Sequence, residues 1–335
     1  MKIISVIGTR PQYIKLKPFY DFCKTNGIDH IVLDTLQHYS DNVSSDLIKD
    51  LDLEIDISLH VRKDSEWGFM SETLDAIGLL LRSERPDYVL VYGDTNSTLC
   101  AALAAYKLKI PVAHVEAGLR CGDVAVPEEV NRIFADTVSR LKFCSSHEGL
   151  TNLEDGIYCG DLEYEMLGNI NPVVEKGDYG VMTIHRQSNT TIQQMQKILE
   201  FCSTIPHPIR FYVHHRTMPL LKKLKIPHNI ETFESCPYST MVENLAGCKF
   251  ILTDSGGIQK TAPFFGKKAL VFREKIEWVE TETAGYIRKA DYSVENLNWL
   301  LLDDLKRDTI FYMHKDKKPS EIMYESIINS LGRSE

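Results

Sequence analysis

The chain has 335 residues, 43% hydrophobic and 25% charged, which is the composition of a soluble globular protein with chain enough for roughly two domains. Its 38 basic and 47 acidic side chains leave a formal charge of −9, arguing against a general polyanion-binding surface, hence a nucleic-acid binder, while allowing a local basic pocket. No run of eighteen apolar residues occurs, and the 8 cysteines form neither C-x-x-C pairs nor zinc-ligand spacing with His, so the expectation is a cytoplasmic protein with reduced thiols, no membrane contact and no metal.

The first element is a strand from Ile3 to Gly8. Gly8-Thr9-Arg10-Pro11 follows it, with Pro11 suited to the first helical position. A helix N-terminus with Arg10 beside it is either an anion site or a plain strand-to-helix turn, and Lys15 lies one turn on. Strands from Ile31 to Thr35, Tyr88 to Gly93, Val112 to Ala117 and Leu141 to Ser145 continue the half, separated by helical stretches such as Thr95 to Lys109 and Pro127 to Leu141. That alternation is the signature of parallel βαβ units. Carboxylates gather after these strands: Asp94, Glu116, and Glu128 at the start of the helix from Pro127. On that helix Val130, Ile133, Phe134, Thr137, Val138 and Leu141 form the expected buried stripe, with Glu128 and Arg132 opposite and Glu129 read as a capping or surface ion-pair group.

Residues 169–178, polar and containing Pro172 and Gly177, read as a linker between a Rossmann-like domain at 1–168 and a second at 179–318. The second half repeats the design, with strands from Val181 to His185, Ile209 to His214, Ile230 to Glu234, Phe250 to Ser255 and Ala269 to Arg273, and a closing amphipathic helix within 319–335. The expected fold is therefore α/β, two doubly wound domains facing a cleft. His185 and Arg186 end one strand, and His214, His215 and Arg216 the next. Asp254-Ser255-Gly256-Gly257 is a turn that a diphosphate can approach closely. It is neither a Walker A sequence nor G-x-G-x-x-G, which argues against ATP hydrolysis and a bound nicotinamide cofactor.

Taken in order, Gly8-Thr9-Arg10-Pro11, Gln37-His38, Gly93-Asp94-Thr95, His114-Val115-Glu116-Ala117-Gly118-Leu119-Arg120, Pro127-Glu128-Glu129-Val130-Asn131-Arg132, His185-Arg186 and Thr253-Asp254-Ser255-Gly256-Gly257-Ile258-Gln259 resemble the non-hydrolysing UDP-N-acetylglucosamine 2-epimerase family over nearly the whole chain. The resemblance implies a glycosyltransferase-B-like fold, a UDP-sugar as partner, a homodimer, no cofactor, and inversion at C2 by elimination of UDP to a 2-acetamidoglucal and its re-addition. On the matching positions, Arg10 and Ser255-Gly256-Gly257 would hold the diphosphate, Asp94, Glu116, Glu128 and His185 would surround the sugar, and Lys15 and Arg132 would support them. Arg186, His214, Thr261 and Glu277 complete the implied binding set.

The chain departs from the pattern at Lys260-Thr261, where the family commonly has Glu-Glu and a Glu grips the ribose, and at Ser188, where a Glu is usual. Gln37-His38 follows Leu36 where a Gly is typical. Glu277-Trp278-Val279-Glu280 and Gln12 are similar to a branch that includes epimerases of modified sugars such as UDP-2,3-diacetamido-glucuronate. A hydrolysing epimerase, a noncatalytic UDP-sugar sensor and a glycosyltransferase remain alternatives on the same motifs.

Overall fold

A computed structural model describes the chain apart from residues 38–40, 63, 173, 215–216, 277, 303–304 and 333–335. It divides into two compact units, Met1–Asn169 with Tyr312–Glu335, and Ile170–Phe311. The chain thus returns to the first unit at Tyr312, ahead of the expected boundary after 318, and the helix Pro319–Leu331 belongs to the first unit.

Among the described residues the first unit is built on strands β1 (Lys2–Ile7), β2 (Asp29–Asp34), β3 (Ile57–Ser58), β4 (Tyr88–Tyr92), β5 (Val112–Val115), β6 (Leu141–Cys144) and β7 (Ile157–Tyr158), hydrogen-bonded in the order β3-β2-β1-β4-β5-β6-β7. Every pairing is parallel. Helices cover both faces of such a sheet, so its central strands are nearly continuous apolar runs rather than alternating, as Tyr88-Val89-Leu90-Val91-Tyr92 is, buried at every position. Ile4, Val6, Leu33, Val89 and Val91 of the sheet pack with Ala101 and Ala105 of the helix Asn96–Lys107 in one core.

The second unit repeats the design with β8 (Gly180–Thr183), β9 (Ile209–Val213), β10 (Ile230–Glu234), β11 (Phe250–Thr253), β12 (Lys268–Val271) and β13 (Ile287–Lys289), again wholly parallel, in the order β10-β9-β8-β11-β12-β13. In each unit the strand order reverses beside the first strand, between β1 and β4 and between β8 and β11. Open α/β sheets leave a crevice for ligands beyond the strand ends at such a reversal. Arg10 and Asp94 follow one such strand pair, and His185 and Ser255 follow the other.

Two expectations are corrected. The helix Pro127–Val138 buries Glu129, Asn131, Ala135 and Asp136, while Val130 and Ile133 are exposed, so the predicted apolar stripe is not its buried face. Polar partners waiting in the first unit outweigh the hydrophobic pattern there. Several strands also end one or two residues early, which places Glu116 and His185 in turns beyond the strand ends, as Asp94 was expected to be. Among the described residues no helix is long and apolar enough to cross a membrane.

Candidate active site

In the first unit the β4 and β5 turns bring two of the expected carboxylates each against a cation. Lys15 Nζ donates to Glu116 Oε2, and Arg132 donates to Asp94 Oδ2. Arg132 also reaches Glu129 at 3.1 Å, and although burial works against its charge, Asp94, Glu129 and Glu116 together push its pKa up. Asp94, Glu116, Lys15 and Arg132 therefore form one charge network. Glu128 is exposed and makes no ion pair with Arg132 or any other described residue.

The backbone under this network is held from behind. Glu116 sits at φ 68°, a left-handed conformation that costs a non-glycine residue of order 1–3 kcal/mol and persists only where neighbours over-determine it. Gly93 N donates to Val115 O at 2.9 Å and Ala117 N to Phe143 O at 2.9 Å on either side of it. His114, fully buried, places Nδ1 2.7 Å from Asp136 and Nε2 2.7 Å from the Gly93 carbonyl. Asp136 also accepts from Gly118 N at 3.2 Å and pairs with Arg120 at 2.6 Å. Burial pushes the Asp136 carboxyl up, but His114 and Arg120 more than reverse it and hold it below the usual carboxylate range. Asn131 donates to Asp94 O at 3.0 Å and fixes that turn. Glu129 is buried, not a surface group: it accepts from Cys121 N at 2.9 Å and Gly122 N at 3.0 Å, which overcome burial and lower its pKa.

The Gly8-Thr9 turn is not the open anion cradle its sequence suggests. Gln12 Oε1 accepts from Gly8 N at 2.8 Å and Thr9 N at 3.1 Å, Pro11 has no N–H, and Gln12 N bonds to Thr9 O at 2.9 Å. Positive charge at this turn is left to Arg10. Gln37, the described half of Gln37-His38, accepts from Ser97 N and Oγ at 2.9 and 2.7 Å and caps the helix after Asp94, whereas His38 lies outside the described residues.

The second unit presents the opposite arrangement. Ser255 gives the helix Gly256–Phe265 no side-chain cap, so the first-turn N–H groups at Gly256 and Gly257 lack that competitor, and Ser255 to Gly257 are partly exposed. Asp254, fully buried, accepts from His185 N at 3.0 Å, Arg186 N at 2.9 Å and Asn189 Nδ2 at 2.9 Å. It also lies 3.4 Å from His185 Nδ1. The His214 ring stands 5.8 Å from that of His185, and Thr217 Oγ1 ties the two loops by donating to Ile184 O at 3.1 Å. Arg186 is exposed. Thr261 is buried with its hydroxyl donated to Ile258 O at 2.8 Å, so the residue expected to replace the ribose-gripping Glu serves its own helix. Glu277, His215 and Arg216 lie outside the described residues.

Sequence reasoning missed the residues that hold these groups in place, chiefly Gln12, Asp136, Asn131 and Asp254. All but Asp136 stood within quoted motifs, yet nothing in a lone Gln or Asp says that its partner is a turn far along the chain, 80 residues for Gln12 and 68 for Asp254.

A family model described as UDP-N-acetylglucosamine 2-epimerase matches residues 21–298. The chain is 32% identical to the UDP-2,3-diacetamido-2,3-dideoxy-D-glucuronate 2-epimerase of Pseudomonas aeruginosa, over 85% of this chain and 87% of that one. It is similar, at TM-score 0.84 and 28% identity over 98% of this chain and 100% of the other, to the crystal structure of Methanocaldococcus jannaschii UDP-GlcNAc 2-epimerase in complex with UDP-GlcNAc and UDP. A glycosyltransferase from Streptomyces nogalater shares the fold at TM-score 0.63 and 12% identity, which marks the fold as glycosyltransferase-B-like. With the family model matching most of the chain and a relative 32% identical over 85% of it, the chain belongs to the UDP-N-acetylglucosamine 2-epimerase family.

Proposed function

We propose that the protein is a non-hydrolysing C2 epimerase of a UDP-linked 2-acetamido sugar, UDP-N-acetylglucosamine or a 3-acetamido uronate or 6-deoxy analogue. The observation that carries the reading is the pairing of Asp94 with Arg132 and of Glu116 with Lys15 at the β4 and β5 strand ends, because taking a proton from C2 needs a carboxylate base held in place. In the elimination, a carboxylate takes the C2 proton, the C–H electrons form the C1–C2 double bond, and the C1–O bond electrons leave with UDP. Re-addition joins the UDP oxygen to C1 while a proton arrives on the other face of C2. Asp94 and Glu116 are assigned to that proton traffic, with Glu128 and His185 beside the sugar. Arg10, the first-turn amides at Gly256 and Gly257, and the Ser255 hydroxyl are assigned to the diphosphate, whose leaving charge they stabilise. Arg186 and His214 add positive charge, and no metal or nicotinamide takes part.

The 32% identity to a diacetamido-glucuronate epimerase supports a modified sugar as readily as the parent one. We place the enzyme in the cytoplasm, in nucleotide-sugar supply for polysaccharide biosynthesis, as a homodimer. Exposed Trp67, Leu79, Tyr106, Val130 and Ile133 on three neighbouring helices of the first unit support the self-association.

Proton NMR in deuterium oxide tests the reaction with UDP-N-acetylglucosamine and a panel of uronate, 3-acetamido and 6-deoxy analogues. The expected product is a UDP-sugar carrying deuterium at C2. Free sugar plus UDP would mark a hydrolysing enzyme, inversion without deuterium would remove the elimination, and binding without turnover would mark a sensor.

A further inference from the structure

We infer that Gln12 is a positioning residue for this reaction, locking the turn that carries Arg10 to the turn that carries Asp94, and that the lock requires a carboxamide. The inference rests on the epimerase reading for what the two turns do, but its geometry stands alone. Gln12 is the third residue of the helix Arg10–Thr25 and is 3% exposed. Its Oε1 accepts from Gly8 N at 2.8 Å and Thr9 N at 3.1 Å. Its Nε2 donates to Tyr92 O at 2.6 Å and lies 3.1 Å from Thr95 Oγ1 and 3.2 Å from Thr98 Oγ1. One planar group thus joins the C-terminal ends of β1 and β4, the two strands at which the sheet order reverses.

The partners leave no choice of orientation. The two backbone N–H groups only donate and the Tyr92 carbonyl only accepts, so position 12 must offer an acceptor and a donor side by side. Thr98 Oγ1 already donates to Tyr92 O at 2.7 Å, so its own proton is committed. An ionised Glu would set a second oxygen against that carbonyl where water does not reach, and only a protonated Glu reproduces the amide's pattern. The charged groups on the elements around it are Arg10 and Lys15 on the same helix, Asp94 on the β4 turn with its partner Arg132 on the helix Pro127–Val138, and Glu116 on the β5 turn. Two of these carboxylates are the proton-handling groups, so a loosened lock shifts Asp94 against the sugar without removing any group that touches it.

The test is Gln12→Glu, with kcat and KM for the UDP-sugar that the wild type turns over measured from mildly acid to mildly alkaline pH. The expected result is kcat close to wild type at acid pH, falling about ten-fold or more relative to wild type as the carboxyl ionises, with KM changed little. Gln12→Met, of similar volume but unable to make the bonds, should lose a similar factor in kcat at every pH, so that Glu rescues Met only in acid. Hydrogen exchange gives a readout independent of turnover. The Gly8 and Thr9 amides should be protected in the wild type, unprotected in Gln12→Met, and protected in Gln12→Glu only in acid. A Gln12→Glu enzyme whose kcat profile and amide protection superimpose on the wild type's overturns the inference, as does a folded Gln12→Met enzyme with wild-type kcat. Should the wild type turn over no UDP-sugar, the epimerase reading fails, while the exchange pattern still decides the lock.

Discussion

Asp94 and Glu116 each carry a cationic partner, so truncating either to Ala would strand a partly buried charge as well as remove the proposed base. Asp94→Asn and Glu116→Gln are the cleaner changes. Each should lower kcat by about 10²–10⁴-fold while UDP affinity, read by calorimetry, stays close to wild type. Arg10→Ala should instead weaken UDP binding and slow cleavage together, since the proposed function sets its cation against the leaving diphosphate. Loss of UDP binding in both carboxylate variants but not in Arg10→Ala would reverse the roles. His30 makes a second residue-scale case. Its ring lies against Phe19 and Tyr20, its Nε2 meets Ser5 Oγ at 2.8 Å, and its Nδ1 is buried without a partner. Burial pushes its pKa from 6.5 down to about 4. The unfolded chain therefore binds a proton below the higher value that the folded one refuses, and stability falls as pH drops from 6.5 toward 4, by at most about 3 kcal/mol from this one ring. His30→Phe should flatten that part of a urea-stability profile and leave the neutral end little changed. An unaltered acid limb in the variant would show that other groups set it.

At the scale of the element, the central strands and their helices were legible because parallel sheets demand apolar runs, and runs such as Val89-Leu90-Val91 are hard to misread. The edge strands β3, β7 and β13 were not, since two or three residues carry no period. The helix Pro127–Val138 misled for a different reason. Its polar face is drawn inward by Arg132 meeting Asp94, Asp136 meeting His114 and Asn131 meeting the Asp94 carbonyl, contacts that no hydrophobic pattern encodes. In the same way the motifs displayed Asp94, Glu116, His185 and Ser255-Gly256-Gly257, whereas the helix-start amides at Gly8 and Thr9 turned out to be taken by Gln12. Gly118 marks how tightly the β5 turn is built. It lies at φ +82°, and a Cβ there would come 2.0 Å from Gly149 O, a backbone atom that cannot step aside. Gly118→Ala should cost about 3 kcal/mol or more and, because Glu116 is two residues away, reduce turnover as well. Gly78, inside the helix Glu66–Glu84 with nothing near its Cβ position, is the control. Gly78→Ala should stabilise by about 0.5–1 kcal/mol without affecting activity. Chemical denaturation of the two variants side by side checks both signs, and a Gly118→Ala protein as stable as wild type would contradict the close approach.

Across the whole molecule, the chain passes from the first unit to the second near residue 170 and comes back at Tyr312, so the first unit is closed by residues distant in sequence. Asp161 N donates to Tyr312 O at 2.7 Å and the Tyr164 and Tyr312 rings meet edge to face. Glu165 caps the closing helix by accepting from Ser320 N at 3.0 Å and Oγ at 2.6 Å. Met323 and Ile327 are fully buried, and Ser330 Oγ and O bond to Tyr88 and Arg140 at 2.6 and 2.7 Å. Burying Tyr312, Met323 and Ile327 alone contributes roughly 5 kcal/mol, comparable to the entire stability of many domains. Ending the chain at Phe311 should therefore unfold the first unit selectively, even though it removes no residue assigned to the site. Hydrogen exchange on the truncated protein should show β1, β4 and β5 losing protection while β8, β9 and β11 retain theirs. Adding the 312–332 segment as a separate peptide should restore protection in the first unit, because its contacts are made by side chains and capping bonds rather than by chain connectivity. Uniform loss across both sheets would mean the two units do not fold as the separate bodies their internal contacts describe, and unchanged protection would mean the returning helix is only an attachment.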